Sequence, residues 1–106
     1  MIFDLMVELG FKVESAINGQ EALNRLKIRS YDLVITDIEM PVLNGYEFAK
    51  NVREELENKE QKILALSTRF SDEDKEKGRL AGFDYHMEKF KRDDIIEKIK
   101  TILGEK

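Results

Sequence analysis

The sequence predicts an α/β domain, a parallel sheet with helices on both faces. Two short runs, DLVITD (32–37) and KILALST (62–68), are β-branched and aliphatic with almost no alternation, the pattern of strands covered on both sides. The stretches around them carry apolar residues at three- and four-residue spacing, which is the helical period. Strand and helix signals then alternate along the chain, and strands joined through helices form a parallel sheet with right-handed crossovers.

In order, Ile2, Leu5, Met6 and Leu9 recur at helical spacing, and Gly10 supplies a stop. FKVESA (11–16) alternates as a strand, with Phe11, Val13 and Ser15 on one face. NGQEALNRLKIRS is a turn leading into a helix with Ala22, Leu23 and Leu26 inward and Gln20, Glu21 and Arg25 outward. The strand DLVITD ends on a carboxylate, Asp37, and a loop with the single proline, Pro41, and Asn44-Gly45 follows. YEFAKNVREELEN (46–58) is helical, with Phe48, Val52 and Leu56 one turn apart.

After the strand KILALST, Ser71 is an N-cap with Asp74 three residues on, and acids crowd the first turn, where the helix dipole favours them. Gly82 closes that helix. FDYHME (83–88) is a fourth, more polar strand, and RDDIIEKIKTILGEK is an amphipathic helix with Ile95, Ile96, Ile99 and Leu103 inward. Phe3, Met6, Phe11 and Phe48 read as core. No repeat, linker or low-complexity tract interrupts the 106 residues, so one domain over 1–106 is expected.

The totals narrow the function classes. A hydrophobic share of 42% beside 38% charged residues fits a folded, soluble chain. The net charge of −4 argues against nucleic acid as the partner, since phosphate backbones need a positive footprint. With no Cys there is no disulfide and no thiolate metal site. No apolar run approaches the roughly 18 residues of a membrane span, and MIFDLMVELG lacks a cationic leader. A cytoplasmic location is expected.

In parallel sheets of this kind, chemistry collects at the carboxyl ends of the strands. That rule gathers Asp37, Ser67 with Thr68, and Glu88 with Lys89 on one edge. A strand-tip carboxylate can attack a phosphoryl group and form an acyl phosphate. Such a transfer depends on charge stabilisation of the phosphoryl oxygens, for which Lys89, the Ser67 hydroxyl and a Mg²⁺ ion are suited. Plainer roles exist for each residue. Asp37 also fits a turn former, Lys89 a solvated charge, Ser67-Thr68 a partner for turn backbone, and His86 an outward-facing strand residue. The acidic run SDEDKEKG and the segment REELENKE also fit solvated helix surface.

YDLVITDIEMPVLNGYEFAKNVR, KILALST and AGFDYHMEKF, in that order and preceded by NGQEAL, resemble the receiver domain of bacterial two-component response regulators. The resemblance covers nearly the whole chain, and D-x-x-M-P-x-x-N-G is its most specific part. It implies a flavodoxin-like doubly wound parallel sheet. It also implies Asp37 as phosphoacceptor for a histidine kinase, a metal site using Asp37 and the Glu39 backbone carbonyl, Ser67 as hydroxyl switch and Lys89 as phosphate partner. His86 falls on the aromatic switch position. Phe90 stands where the family usually has proline, and the ending K-F-x-R-D resembles receivers of chemotaxis-type hybrid kinases.

The family's first strand and its pair of metal-binding acids have no counterpart in the sequence, which begins on the later part of the first helix. Four strands are therefore expected in an N-terminally truncated receiver. Its sheet centre would be filled by a shifted strand or by strand exchange in a homodimer, with weak Mg²⁺ binding. Two alternatives stay open. One is a pseudo-receiver, a binding or dimerisation module without phosphorylation. The other is a hydrolase with an aspartyl-phosphate intermediate, which would call for a second acid-base residue where Glu39 stands.

Overall fold

The computed structural model describes residues 14–16, 18–39 and 43–104. The sheet is parallel, with strands β1 (Val34–Asp37), β2 (Ile63–Ser67) and β3 (Tyr85–Glu88) in the order β1-β2-β3. Helices α1 (Gly19–Ile28), α2 (Gly45–Glu54), α3 (Asp72–Ala81) and α4 (Arg92–Ile102) connect and cover it.

The central strand β2 is buried at every position, as its unbroken apolar run requires. Its two-residue period divides the core. Ile63 and Ala65 join Leu23, Leu26, Phe48, Ala49 and Val52 from α1 and α2 on one face. Leu64 and Leu66 meet Ile95 and Ile99 of α4 on the other. Phe48, Val52, Ile63, Leu64 and Ile99 are all at most 1% exposed, whereas Ile96, expected inward beside Ile95 and Ile99, is half-buried and belongs to neither cluster.

Local chemistry starts and stops the helices. Asn18 accepts the Glu21 N–H at the head of α1. Asn44 with Glu47, and Ser71 with Asp74, form complete capping boxes, each side chain bonding the other residue's backbone N–H. Gly82 ends α3 in the left-handed region at φ 111°.

Three further expectations are corrected. α2 ends at Glu54 rather than running to Asn58, because the chain reverses at Glu57 (φ 52°) and the Asn58 N–H bonds back to the Val52 carbonyl. Four strands were expected, and three form among the described residues. Of the strand expected over 11–16, residues 14–16 are irregular; Glu14 there reaches Arg25 at 3.2 Å, Arg29 at 2.8 Å and the Tyr31 hydroxyl at 2.6 Å. Positions 11–13, the helix expected over Ile2–Leu9, Phe3, Met6 and Pro41 lie outside the described residues. The third correction, at His86, belongs to the site.

Candidate functional site

Because the strands are parallel and in register, with Asp37 opposite Leu66 and Ser67 opposite Glu88, their last residues reach the same edge together. The ladder extends one step further through Ile38 N–H to Leu66 O at 3.2 Å and Lys89 N–H to Ser67 O at 3.0 Å. Those two bonds aim the residues just beyond β1 and β3 over the tip of β2. Lys89 Nζ lies 3.3 Å from Asp37 Oδ1, a partly buried ion pair across the edge.

Gly45 lets the loop after β1 close tightly. Its N–H bonds the Ile38 carbonyl at 2.9 Å, and a Cβ there would fall 2.8 Å from both the Asp37 carbonyl oxygen and the Ile38 Cα. Only glycine permits that approach, so the Asn-Gly pair serves the site twice, Asn44 capping α2 and Gly45 folding it against the Asp37 backbone.

Ser67 is buried at 1% exposure, and its hydroxyl oxygen accepts the Arg69 N–H at 2.9 Å. That bond leaves its proton to be donated, and the acceptor is Glu39 Oε1 at 3.3 Å. Thr68 donates to the same oxygen at 3.3 Å, while Glu39 Oε2 stands 3.9 Å from Lys89 Nζ. The Glu39 carboxylate thus sits among two hydroxyls and an ammonium. The family resemblance implies a metal role for Glu39 only through its backbone carbonyl. No sequence signal shows a two-residue offset from Asp37 carrying a side chain across to the next strand tip.

His86 is not the outward strand residue expected. Its ring lies edge-on to Phe70 (5.2 Å between centroids) and Phe83 (5.7 Å), under Gly78 of α3. Both ring nitrogens are buried with no hydrogen-bond partner among the described residues. Burial pushes the imidazole pKa down, against the upward pull of Asp74, so the neutral ring is favoured. The cue in the sequence is Gly78, whose missing side chain admits the ring.

Beside the edge, between the loops after β1 and β2, opens a cleft of about 230 Å³ lined in part by Glu39, Tyr46, Ser67, Arg69, Asp74 and Lys77. For a divalent cation, no group of three Asp, Glu or His residues comes together among the described residues. Asp37 and the Glu39 carbonyl would leave most of an octahedral shell to water, so these donors alone do not form a metal centre. No described helix is long and apolar enough to cross a membrane.

Comparison with known proteins agrees with this architecture. The CpxR-homologue transcriptional regulatory protein of Haemophilus influenzae is 39% identical over 104 residues, 96% of this chain and 44% of that protein. The chain spans less than half the length of the curated relatives it matches. Among solved structures, the chemotaxis response regulator CheY4 of Vibrio cholerae superposes with a TM-score of 0.86 at 33% identity, covering 97% of this chain and 87% of that one. The response regulator TrrA of Thermotoga maritima, solved with Mg²⁺ and BeF, gives 0.81 at 35% identity, covering 96% and 86%. The model of the response regulator receiver domain matches residues 2–100, and with the flavodoxin-like parallel fold and the acid, hydroxyl and ammonium at its edge, the chain belongs to the receiver domains of two-component signalling.

Proposed function

We propose that this receiver accepts a phosphoryl group on Asp37 from the phosphohistidine of a histidine kinase. The observation that carries the reading is the Asp37–Lys89 contact of 3.3 Å over the buried tip of β2. An Asp37 carboxylate oxygen attacks phosphorus, the P–N bond of the donor breaks, and its electron pair returns to the leaving imidazole. Lys89 balances charge on one phosphoryl oxygen and the Ser67 hydroxyl donates to another. Ser67, at the head of the loop entering α3, and His86, packed beneath α3, would then carry the change to that helix. The relative solved with Mg²⁺ and BeF supports a divalent ion assisting at this edge, although the described residues supply only part of a shell.

The test is intact mass after incubation with acetyl phosphate and Mg²⁺, where acetate replaces imidazole as leaving group. The wild-type chain gains one phosphoryl group and Asp37→Asn gains none. Absence of any gain in protein that circular dichroism shows to be folded would sink the phosphoacceptor reading and leave a receiver scaffold used for binding or dimerisation.

A further inference from the structure

We propose that the Glu39 side chain is a built-in occupant of the phosphoryl pocket, which must leave before the phosphoryl group can seat. The inference rests on the Asp37 phosphoacceptor reading. Acyl-phosphate oxygens at Asp37 need the donors that surround the edge, and those donors are engaged. Ser67 and Thr68 both donate to Glu39 Oε1 at 3.3 Å, and Lys89 Nζ faces Glu39 Oε2 at 3.9 Å. The Arg69 N–H, bound to the Ser67 oxygen at 2.9 Å, directs the Ser67 proton toward that carboxylate. The two Glu39 oxygens therefore stand in for two phosphoryl oxygens.

The arrangement is reversible by construction. The Glu39 side chain is 43% exposed and its contacts are long, so rotation into solvent is inexpensive. An incoming phosphoryl group is itself anionic, and because each hydroxyl has a single proton to donate, it competes with the Glu39 carboxylate for Ser67 and Thr68 and is repelled by it. Seating the phosphoryl group and expelling Glu39 are then one event, and expulsion frees the hydroxyls at the start of the loop leading to α3. By linkage, whatever affinity the carboxylate has for the donors is subtracted from the affinity of the phosphoryl group.

The experiment follows phosphoryl uptake from limiting acetyl phosphate with Mg²⁺ present, by intact mass, in wild type, Glu39→Ala and Glu39→Asp, with Asp37→Asn as the blank. Alanine removes the occupant; aspartate keeps the charge but is one methylene too short to reach the hydroxyls. Both are expected to take up the phosphoryl group about three- to tenfold faster than wild type, the effect of deleting a weak competing ligand. Uptake by the variants but not by wild type would be the extreme form of support.

Acceleration by alanine alone, with aspartate at the wild-type rate, would reduce Glu39 to a repelling charge and overturn the proposal. A slower Glu39→Ala would show that the carboxylate assists transfer, and equal rates in all three would show an idle side chain; either overturns it while leaving Asp37 as acceptor. No uptake by any folded variant would overturn this proposal and the Asp37 reading together.

Discussion

The two ends of the sheet are built to different tolerances. At the amino end, Arg53 donates to the Gly82 carbonyl from two nitrogens at 3.1 and 2.8 Å, to the Asn58 carbonyl at 2.9 Å and to Asp84 at 2.9 Å. Asp84 in turn accepts the Ile63 N–H at 2.8 Å. One guanidinium thus ties the C-terminus of α2, the turn after α3 and the entrances of β2 and β3. At the carboxyl end, the charged contacts among Asp37, Glu39 and Lys89 run from 3.3 to 3.9 Å between partly exposed groups. Short, mutually satisfied bonds close a fold; long contacts between groups that keep access to solvent leave room for a ligand to intervene.

The largest expected effect tests that contrast directly. Arg53→Ala takes this donor from two carbonyls and leaves the Asp84 carboxylate with the Ile63 N–H but without its cation, behind a side chain only 16% exposed, and should cost about 2–4 kcal/mol in urea unfolding. Lys89→Ala, which removes an ammonium whose contacts are longer (3.3 and 3.9 Å) and whose carboxylate partners are 41% and 43% exposed, should cost about 1 kcal/mol or less. Equal losses, at unchanged m-values, would erase the distinction between a structural and a functional end.

Legibility in the sequence follows the same division. Strand cores, caps and helix faces rest on short-range rules, so Ser71 with Asp74, the Gly82 stop and the buried run Ile63–Ser67 could be read directly. The convergence of Asp37, Ser67 and Lys89 was also legible, because parallel topology alone brings strand tips together. The Glu39 carboxylate on Ser67 and Thr68 was not, since it spans 28 and 29 residues and depends on loop geometry. Nor was the burial of His86, because alternation assigns a face without saying what covers it. The Arg53–Asp84 knot was missed for a third reason, namely that charged residues at element ends read as solvated unless the turn that receives them is known.

His86 gives the next effect, a pH dependence centred on the functional end. The imidazole faces Phe70 and Phe83, with Asp74 and Lys75 of α3 and Glu39 of the β1 loop contributing charge. Burial first, and Lys75 after it, hold its pKa below the reference 6.5, against Asp74 and Glu39. The unfolded chain therefore binds the proton more readily than the folded one. The stabilisation from a neutral His86 is complete above the unfolded value and is lost as pH falls through the folded one. Stability should decline as pH drops below about 6.5, before most carboxylates titrate. His86→Phe, which keeps the aromatic packing, should flatten that decline. An unchanged slope in the variant would mean that the ring is solvated or paired in solution.

The smallest effect concerns backbone strain, which the two ends share. Phe90, directly after Lys89, has φ 71° and is 87% exposed, while Glu57, near the Arg53 knot, has φ 52°. A side chain in the left-handed region costs roughly 1–2 kcal/mol, and glycine gives back about half of that gain through its freer unfolded chain. Phe90→Gly and Glu57→Gly should therefore each raise stability by about 0.5 kcal/mol, a shift of a few degrees in Tm. Their effects on chemistry should differ. The Phe90 backbone fixes the departure of the chain from Lys89, so glycine there should loosen the ammonium and slow phosphoryl uptake, with Glu57→Gly at the wild-type rate. Equal uptake in both would show that the strain at Phe90 is spent on the turn alone, and that the ladder bond from Lys89 N–H to Ser67 O suffices to aim the ammonium.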